Sequence, residues 1–333
     1  RRGFAAALLD VGGRELALRA DLAGRSALHY AAWVGDACVV DALLHAGADP
    51  GALDSWSRSA AHVAAARGQV QLARDLAVRC PLSAGQRDAF GHRVADILSL
   101  TSGSRVAVQE RRGISWKELF HDFVALSRPV LVRGGCALLP AMSSWAEPAR
   151  LAAKLGGASL SAGPVPYGPG CSAVTLPAFL ASAEAPSRGP RPYAFDVSAA
   201  RRCPELLADS ELMPCSEWAG FAAYVRQPQF GLGFRGAGAP MHLHHAALNA
   251  LFVGSKRWLL LPPEVSFWAA NASEAWASSA RCAELRAQGA LLEIRQHAGD
   301  LLFVPEGWGH ATVLEEYAVG VGQEFVPLSS LSS

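Results

Sequence analysis

Ser26-Ala27-Leu28-His29-Tyr30-Ala31-Ala32 returns 33 residues later as Ser59-Ala60-Ala61-His62-Val63-Ala64-Ala65. Each copy runs into a glycine, Gly35 or Gly68, and then into a second segment with apolar residues at helical spacing. A fixed period of this length decides the fold of the first third, because a helix-turn-helix unit can bury its apolar face only against a neighbouring copy. Leu43 to Pro50 closes the first copy, with Gly47 where the helix should end in a left-handed residue. Ala7 to Gly13 reads as the tail of an earlier unit, and Asp88 to Leu98 as a final half-unit in which Asp96 takes the histidine's place. His29 and His62 are expected to hydrogen-bond the backbone of the neighbouring turn, not to hold a metal.

The pattern resembles ankyrin repeats over residues 1–100. That resemblance implies a rigid concave face for a protein substrate or partner, with a purely structural cap on the next domain as the alternative. Residues 101–113, from Thr101 through Gln109-Glu110-Arg111-Arg112 to Gly113, break the helical period and read as a linker. A further loop is expected at Glu184 to Pro192, where Pro186, Gly189, Pro190 and Pro192 oppose regular pairing.

With 333 residues, 51% hydrophobic and 18% charged, the chain is long enough for two domains and apolar enough to bury their cores. Thirty basic against 29 acidic residues leave a net charge of +1, which offers no field for phosphate backbones or anionic lipid. Nucleic acid is not expected as a partner. Apolar runs such as Ala246 to Val253 fall far short of the roughly 20 residues that span a bilayer. The seven cysteines (Cys38, Cys80, Cys136, Cys171, Cys203, Cys215, Cys282) are scattered without a CxxC pair, so reduced, buried thiols are expected. The chain opens on Arg1-Arg2, so a true N-terminus upstream is expected, and Phe4 to Leu9 is too short for the apolar region of a signal peptide.

Of ten histidines, five fall after residue 240. Met241-His242-Leu243-His244-His245 leads into Asn249 to Val253, a turn at Gly254-Ser255, and Lys256 to Pro263, which read as two strands around a tight turn. Leu301 to Val304, then His310 to Leu314 and Tyr317 to Phe325 as a hairpin across Glu315-Glu316, complete the strand signals. Side chains two apart on a strand share a face, so His242 and His244 point together while His245 points away. His310, from a distant strand, would complete one triangular face of an octahedral ion, an open arrangement that suits Fe(II). Three structural histidines in a polar barrel mouth are the alternative at this level.

The surrounding residues resemble the JmjC family of cupin-fold oxygenases. The matching segments are Gly236 to Pro240, His242-x-His244, Asn249, Gly254-Ser255-Lys256-Arg257-Trp258 with Pro262-Pro263, Gly299-Asp300 to Pro305, and Trp308-x-His310, with Ser127 to Gly134 and Trp145 upstream. The likeness spans residues 114–328 and is greatest to the JmjC-only branch of the endoplasmic-reticulum lumen, which also writes a His-x-His motif. Together with the repeats, it implies an α-helical ankyrin stack followed by a double-stranded β-helix, the cupin or jelly-roll barrel, with flanking helices. It implies iron on His242, His244 and His310, and 2-oxoglutarate anchored by Lys256 with Asn249 lining its site. Read alone, Lys256 beside a turn could equally be an exposed lysine.

Three departures bear on activity. His244 stands where the family carries an acidic ligand, which removes a negative charge and leaves Zn(II) as an alternative metal. Ala239 lacks a hydroxyl found at that position, and Glu324 brings a charge that would repel a dicarboxylate or turn in as a ligand. Trp308 is expected to pack as barrel wall. The function implied is an Fe(II)- and 2-oxoglutarate-dependent dioxygenase acting on protein as a hydroxylase or demethylase. The alternatives are an inactive barrel serving with the repeats as an interaction scaffold, and a zinc site of structural or hydrolytic kind. The repeats favour a cytoplasmic or nuclear protein; the sequon Asn271-Ala272-Ser273 and the resembling branch favour the endoplasmic-reticulum lumen.

Overall fold

The structure is a computed structural model that describes residues 15–327, apart from 16, 22, 102–106, 167, 183–188, 213–222 and 270. Helix pairs Ala27–Val34 with Ala37–His45 and Ala60–Ala66 with Val70–Arg79, followed by helix Val94–Thr101, take the expected repeat form. Ser26 and Ser59 cap the first helix of each pair, and each receives the imidazole three residues on in a reciprocal capping box. The opposite ring nitrogen reaches the next turn: His29 Nε2 lies 2.9 Å from the Arg58 carbonyl and His62 Nε2 lies 3.3 Å from that of Gln86. Both are the satisfied structural histidines that the repeat predicts. In the half-unit, the Arg93 N–H donates to Asp96 Oδ2 at 2.9 Å, so aspartate does take the histidine's capping place. Gly47 is left-handed, φ 93°. The candidate repeat tail at Ala7–Gly13 lies outside the described residues.

A second periodic device was not read from the sequence. Asp21, Asp54 and Asp88 each fold a turn, accepting from the backbone N–H groups two and four residues on. These turns carry the stack's contact with the second domain. Trp56 and Phe90, at two turn tips, pack into the same apolar core as Phe120, Phe230 and Phe325. Leu126 reaches back into the core of the stack. The two units therefore share buried surface.

Strands β1 (Gln109–Arg112), β2 (Val130–Arg133), β3 (Ser159–Gly163), β4 (Ser172–Thr175), β5 (Tyr193–Asp196), β6 (Ala223–Val225), β7 (Gln229–Gly233), β8 (Ala246–Val253), β9 (Ser255–Leu261), β10 (Leu292–His297), β11 (Leu301–Val304), β12 (Gly309–Leu314) and β13 (Ala318–Pro327) build the barrel. A ten-stranded sheet runs β1-β2-β11-β8-β13-β7-β5-β3-β4, with β6 also on β13, and a three-stranded sheet runs β10-β9-β12. Segments quoted from distant parts of the sequence meet here: Arg133 donates to Asp300 Oδ2 at 2.6 Å and the Gly134 N–H to Asp300 Oδ1 at 3.1 Å.

Three expectations are corrected. The linker assigned to 101–113 contains β1, which pairs in parallel with β2. As an edge strand with three of its four residues exposed, Gln109-Glu110-Arg111-Arg112 carries no apolar alternation to reveal it. The segments either side of Glu315-Glu316 are strands but not a hairpin, since β12 pairs with β9 while β13 pairs with β6, β7 and β8. Burial of the thiols is mixed: Cys136, Cys203 and Cys282 are buried, Cys80 and Cys171 partly so, and Cys38 is exposed, these six free of disulfides, while Cys215 lies outside the described residues. Of the loop expected at 184–192, residues 189–192 are described and lack regular structure. Among the described residues no helix is long and apolar enough to cross a membrane.

Gly254 is the corner where the chain leaves β8 in one sheet for β9 in the other. Its φ is +76°, and a Cβ there would meet the Tyr317 carbonyl oxygen at 2.1 Å. Gly254→Ala is expected to cost at least about 2 kcal/mol, because left-handed strain and a backbone clash coincide. A lowered urea midpoint with unchanged slope is the measurement that checks it.

Candidate metal centre

The site is built by backbone pairing between the approach to β8 and the start of β12. The His242 N–H donates to the His310 carbonyl at 3.0 Å and the His310 N–H to that of His242 at 2.8 Å, an isolated bridge that joins the approach to β8 to the start of β12. Expected within a strand, His242 and His244 instead lie on the extended approach to it; the alternation still brings His244 to the same side. His245 points away, as expected, with Nδ1 3.1 Å from Glu306 Oε1. Ring centroids of His310 are 4.2 Å from His242 and 4.5 Å from His244, and the three offer ligand nitrogens within 4.8 Å of one another.

Each of the three rings is held by a backbone carbonyl. Nδ1 lies 2.7 Å from the Pro240 oxygen in His242, 2.7 Å from the His245 oxygen in His244, and 3.0 Å from the Trp308 oxygen in His310. A carbonyl only accepts, so each Nδ1 carries the proton and each Nε2 presents a lone pair. Two of those lone pairs, on His244 and His310, face each other at 3.0 Å. Neutral imidazoles so placed repel, whereas a cation between them removes the repulsion. Ligand bonds of about 2.1 Å at a right angle would put adjacent nitrogens about 3.0 Å apart. The donor set therefore fits a first-row divalent ion. Burial and the neighbouring imidazoles keep the rings uncharged: His242 is lowered to about 4, His310 falls well below its ordinary value, and burial also lowers His244.

Beside the histidines lies a cavity of about 290 Å³, near the small end of ligand sites, with walls from both sheets. Register places the interior groups: Leu260 opposes His310, Trp258 opposes Thr312 and Lys256 opposes Leu314 across β9 and β12. Lys256 is buried, not exposed beside its turn. Its Nζ is 3.4 Å from Asn249 Oδ1 and 5.2 Å from the Trp258 ring, and among the described residues no carboxylate pairs with it. Burial lowers it to about 8. The structure thus brings together all five residues singled out from the sequence.

Glu324 lines the cavity but is engaged elsewhere, accepting from Gln229 Nε2 at 2.7 Å and pairing with Arg226 at 3.3 Å. Ala239 has no hydroxyl, yet its N–H donates to Thr312 Oγ1 at 2.9 Å, so β12 supplies a hydroxyl at that wall. Sequence reading missed Thr312, although the strand period of two counted from His310 points to it. The stretch from Ala158 to Gly231, expected to shape the mouth, supplies Tyr193, Phe195 and Gln229, which were not singled out because nothing periodic marks their segments. Trp308 is buried in an apolar cluster with Trp258 and Leu302, barrel wall as expected.

The sequence pattern of the cupin-like domain matches residues 116–321, and that of the ankyrin repeat matches residues 23–55. Among similar proteins, Arginine-specific demethylase JMJ22 of Arabidopsis thaliana is 26% identical over 249 residues, 66% of this chain and 46% of that protein. JmjC domain-containing protein 8 of Homo sapiens is 33% identical over 111 residues, 29% of this chain and 42% of that protein. Bifunctional arginine demethylase and lysyl-hydroxylase psr-1 of Caenorhabditis elegans is 28% identical over 168 residues, 42% of this chain and 41% of that protein. The matched regions thus span less than half the length of these relatives.

Proposed function

This chain belongs to the cupin-like domain family, in its JmjC form joined to ankyrin repeats, and from that premise we propose that it is an Fe(II)- and 2-oxoglutarate-dependent dioxygenase that modifies protein. The observation that carries the reading is the convergence of three Nδ1-protonated imidazoles on one point beside a buried lysine that has no carboxylate partner among the described residues. When bound, the metal would supply oxygen activation coupled to oxidation of 2-oxoglutarate, giving hydroxylation or, where the carbon sits on nitrogen, demethylation.

The chain's own groups do the positioning. His242, His244 and His310 would hold the metal. Lys256 would receive the distal carboxylate of 2-oxoglutarate, with Asn249 fixing the ammonium and the Thr312 hydroxyl in reach of the same wall. A dicarboxylate neutralises the buried cation, which makes the ligand's charge part of the fit. Tyr193 and Phe195 also line the cavity, and Trp268, 69% exposed beside His242, would meet an entering substrate side chain. Ankyrin repeats mediate protein contacts in general, and the role proposed for them here is recruitment of the protein substrate. Location in the cytoplasm or nucleus belongs to the same proposal; a glycan on the exposed Asn271 would reverse it.

The test is succinate formation from 2-oxoglutarate by the Fe(II)-loaded chain, which needs no identified substrate. Turnover above the His310→Ala background is expected. No turnover together with stoichiometric zinc retained through iron reconstitution would overturn the oxygenase in favour of a zinc site.

A further inference from the structure

The turn between β11 and β12, which delivers His310, is seated on the repeat stack. Arg25 Nη1 donates to both carboxylate oxygens of Glu306, at 2.9 and 2.8 Å, while Arg25 Nε is held by Asp21 Oδ2 at 2.9 Å within the first described repeat turn. Glu306 Oε1 in turn lies 3.1 Å from His245 Nδ1. The next residue, Gly307, donates its N–H to the His244 carbonyl at 3.1 Å. It also lies against the repeat: a Cβ on Gly307 would sit 2.2 Å from Trp33 Cζ2.

The three imidazoles are not supported alike. His242 and His310 pair backbone to backbone, and their rings rest on the carbonyls of Pro240 and Trp308. His244 lacks a reciprocal bridge of this kind; its backbone is held on one side only, its carbonyl accepting from the N–H of Gly307 beside Glu306 at 3.1 Å. Its ring is oriented by the carbonyl of His245, whose own side chain is tied to Glu306, and Glu306 is tied to Arg25. A partly buried charge network is weak support for stability alone, since apolar packing would serve as well. Fixing the geometry of one residue is what such a network does well.

We propose that Arg25 of the repeat stack is a positioning residue for the metal centre, holding His244 in place through Glu306 and His245. The inference rests on His244 being a metal ligand. It makes the stack part of the site's outer wall as well as a surface for partners.

The experiment titrates the full-length apo protein with Co(II), reading affinity and the d–d absorption band, in Arg25→Gln, His244→Ala and the double variant. Arg25→Gln is expected to weaken Co(II) binding about 10- to 100-fold, the usual effect of losing an outer hydrogen-bond partner, and to move the band toward that of His244→Ala. The double variant should bind no more weakly than His244→Ala, and Arg25→Lys should recover part of the loss. Unchanged affinity in Arg25→Gln, or an equal loss in both backgrounds, overturns the proposal, because general loosening of the fold would act with or without His244. Should Arg25→Gln fail to fold, Glu306→Gln breaks the same chain from the barrel side and carries the same expectations. If His244→Ala itself leaves Co(II) binding unchanged, it is the ligand assignment that fails, a result distinct from both.

Discussion

His310→Ala is expected to lower divalent-metal affinity by roughly three orders of magnitude while leaving a folded barrel. Losing a single outer partner of a ligand costs about 10- to 100-fold, and loss of the ligand that lies nearest both others must cost more. His310 is that group: its ring centroid is nearer to His242 and to His244 than those two are to each other. The fold should survive because position 310 is held by backbone, through pairing with Leu260 on β9 and the bridge to His242. The apo protein even gains something, since the variant removes one side of the opposed lone pairs at 3.0 Å. That gain offsets part of the cavity left by the deleted ring. Metal content after purification and a Co(II) titration check the first part, and a thermal melt of the apo variant checks the second. Wild-type affinity in the variant would remove the metal centre from consideration.

What the sequence made legible follows from what each feature requires of neighbouring residues. The repeats were legible because a 33-residue period leaves the same capping serine and histidine in both copies. The histidine cluster was legible because a period of two fixes sidedness and a later strand offered His310 as the third ring, 66 residues beyond His244, a link that the resemblance then strengthened. Strand partners were not legible. Gly254-Ser255 and Glu315-Glu316 are turn residues whether the chain doubles back as a hairpin or crosses to the opposite sheet, and here it crosses. The strand β1 was hidden because an exposed edge needs only backbone groups. The seam was hidden because Arg25 and Glu306 lie 281 residues apart, and neither has a local pattern that reports the other.

Lys256→Met should separate function from stability, lowering 2-oxoglutarate affinity by about two to three orders of magnitude while making the ligand-free chain more stable. Truncating one member of a buried charge pair costs about 2 to 5 kcal/mol, which sets the loss of affinity. The gain has the opposite origin. Without a ligand, burial lowers the ammonium from an ordinary 10.5 to about 8, so holding it charged in the folded state is unfavourable. At 1.36 kcal/mol for each pH unit, the penalty is on the order of 3 kcal/mol. Between pH 8 and 10.5 the unfolded chain holds more protons than the folded one, so stability of the ligand-free wild type should rise with pH across that window. Below about pH 8 the penalty is fully present. Lys256→Met should abolish this rise and exceed the wild type most clearly at neutral pH, read as the urea midpoint against pH. Cosubstrate affinity in the wild type has the inverse dependence, level at neutral pH and falling as pH passes 8, because the dicarboxylate needs the charged ammonium. Coincidence of the two stability profiles would mean that Lys256 is not a strained cation awaiting an anion, and the cosubstrate role would lose its physical basis.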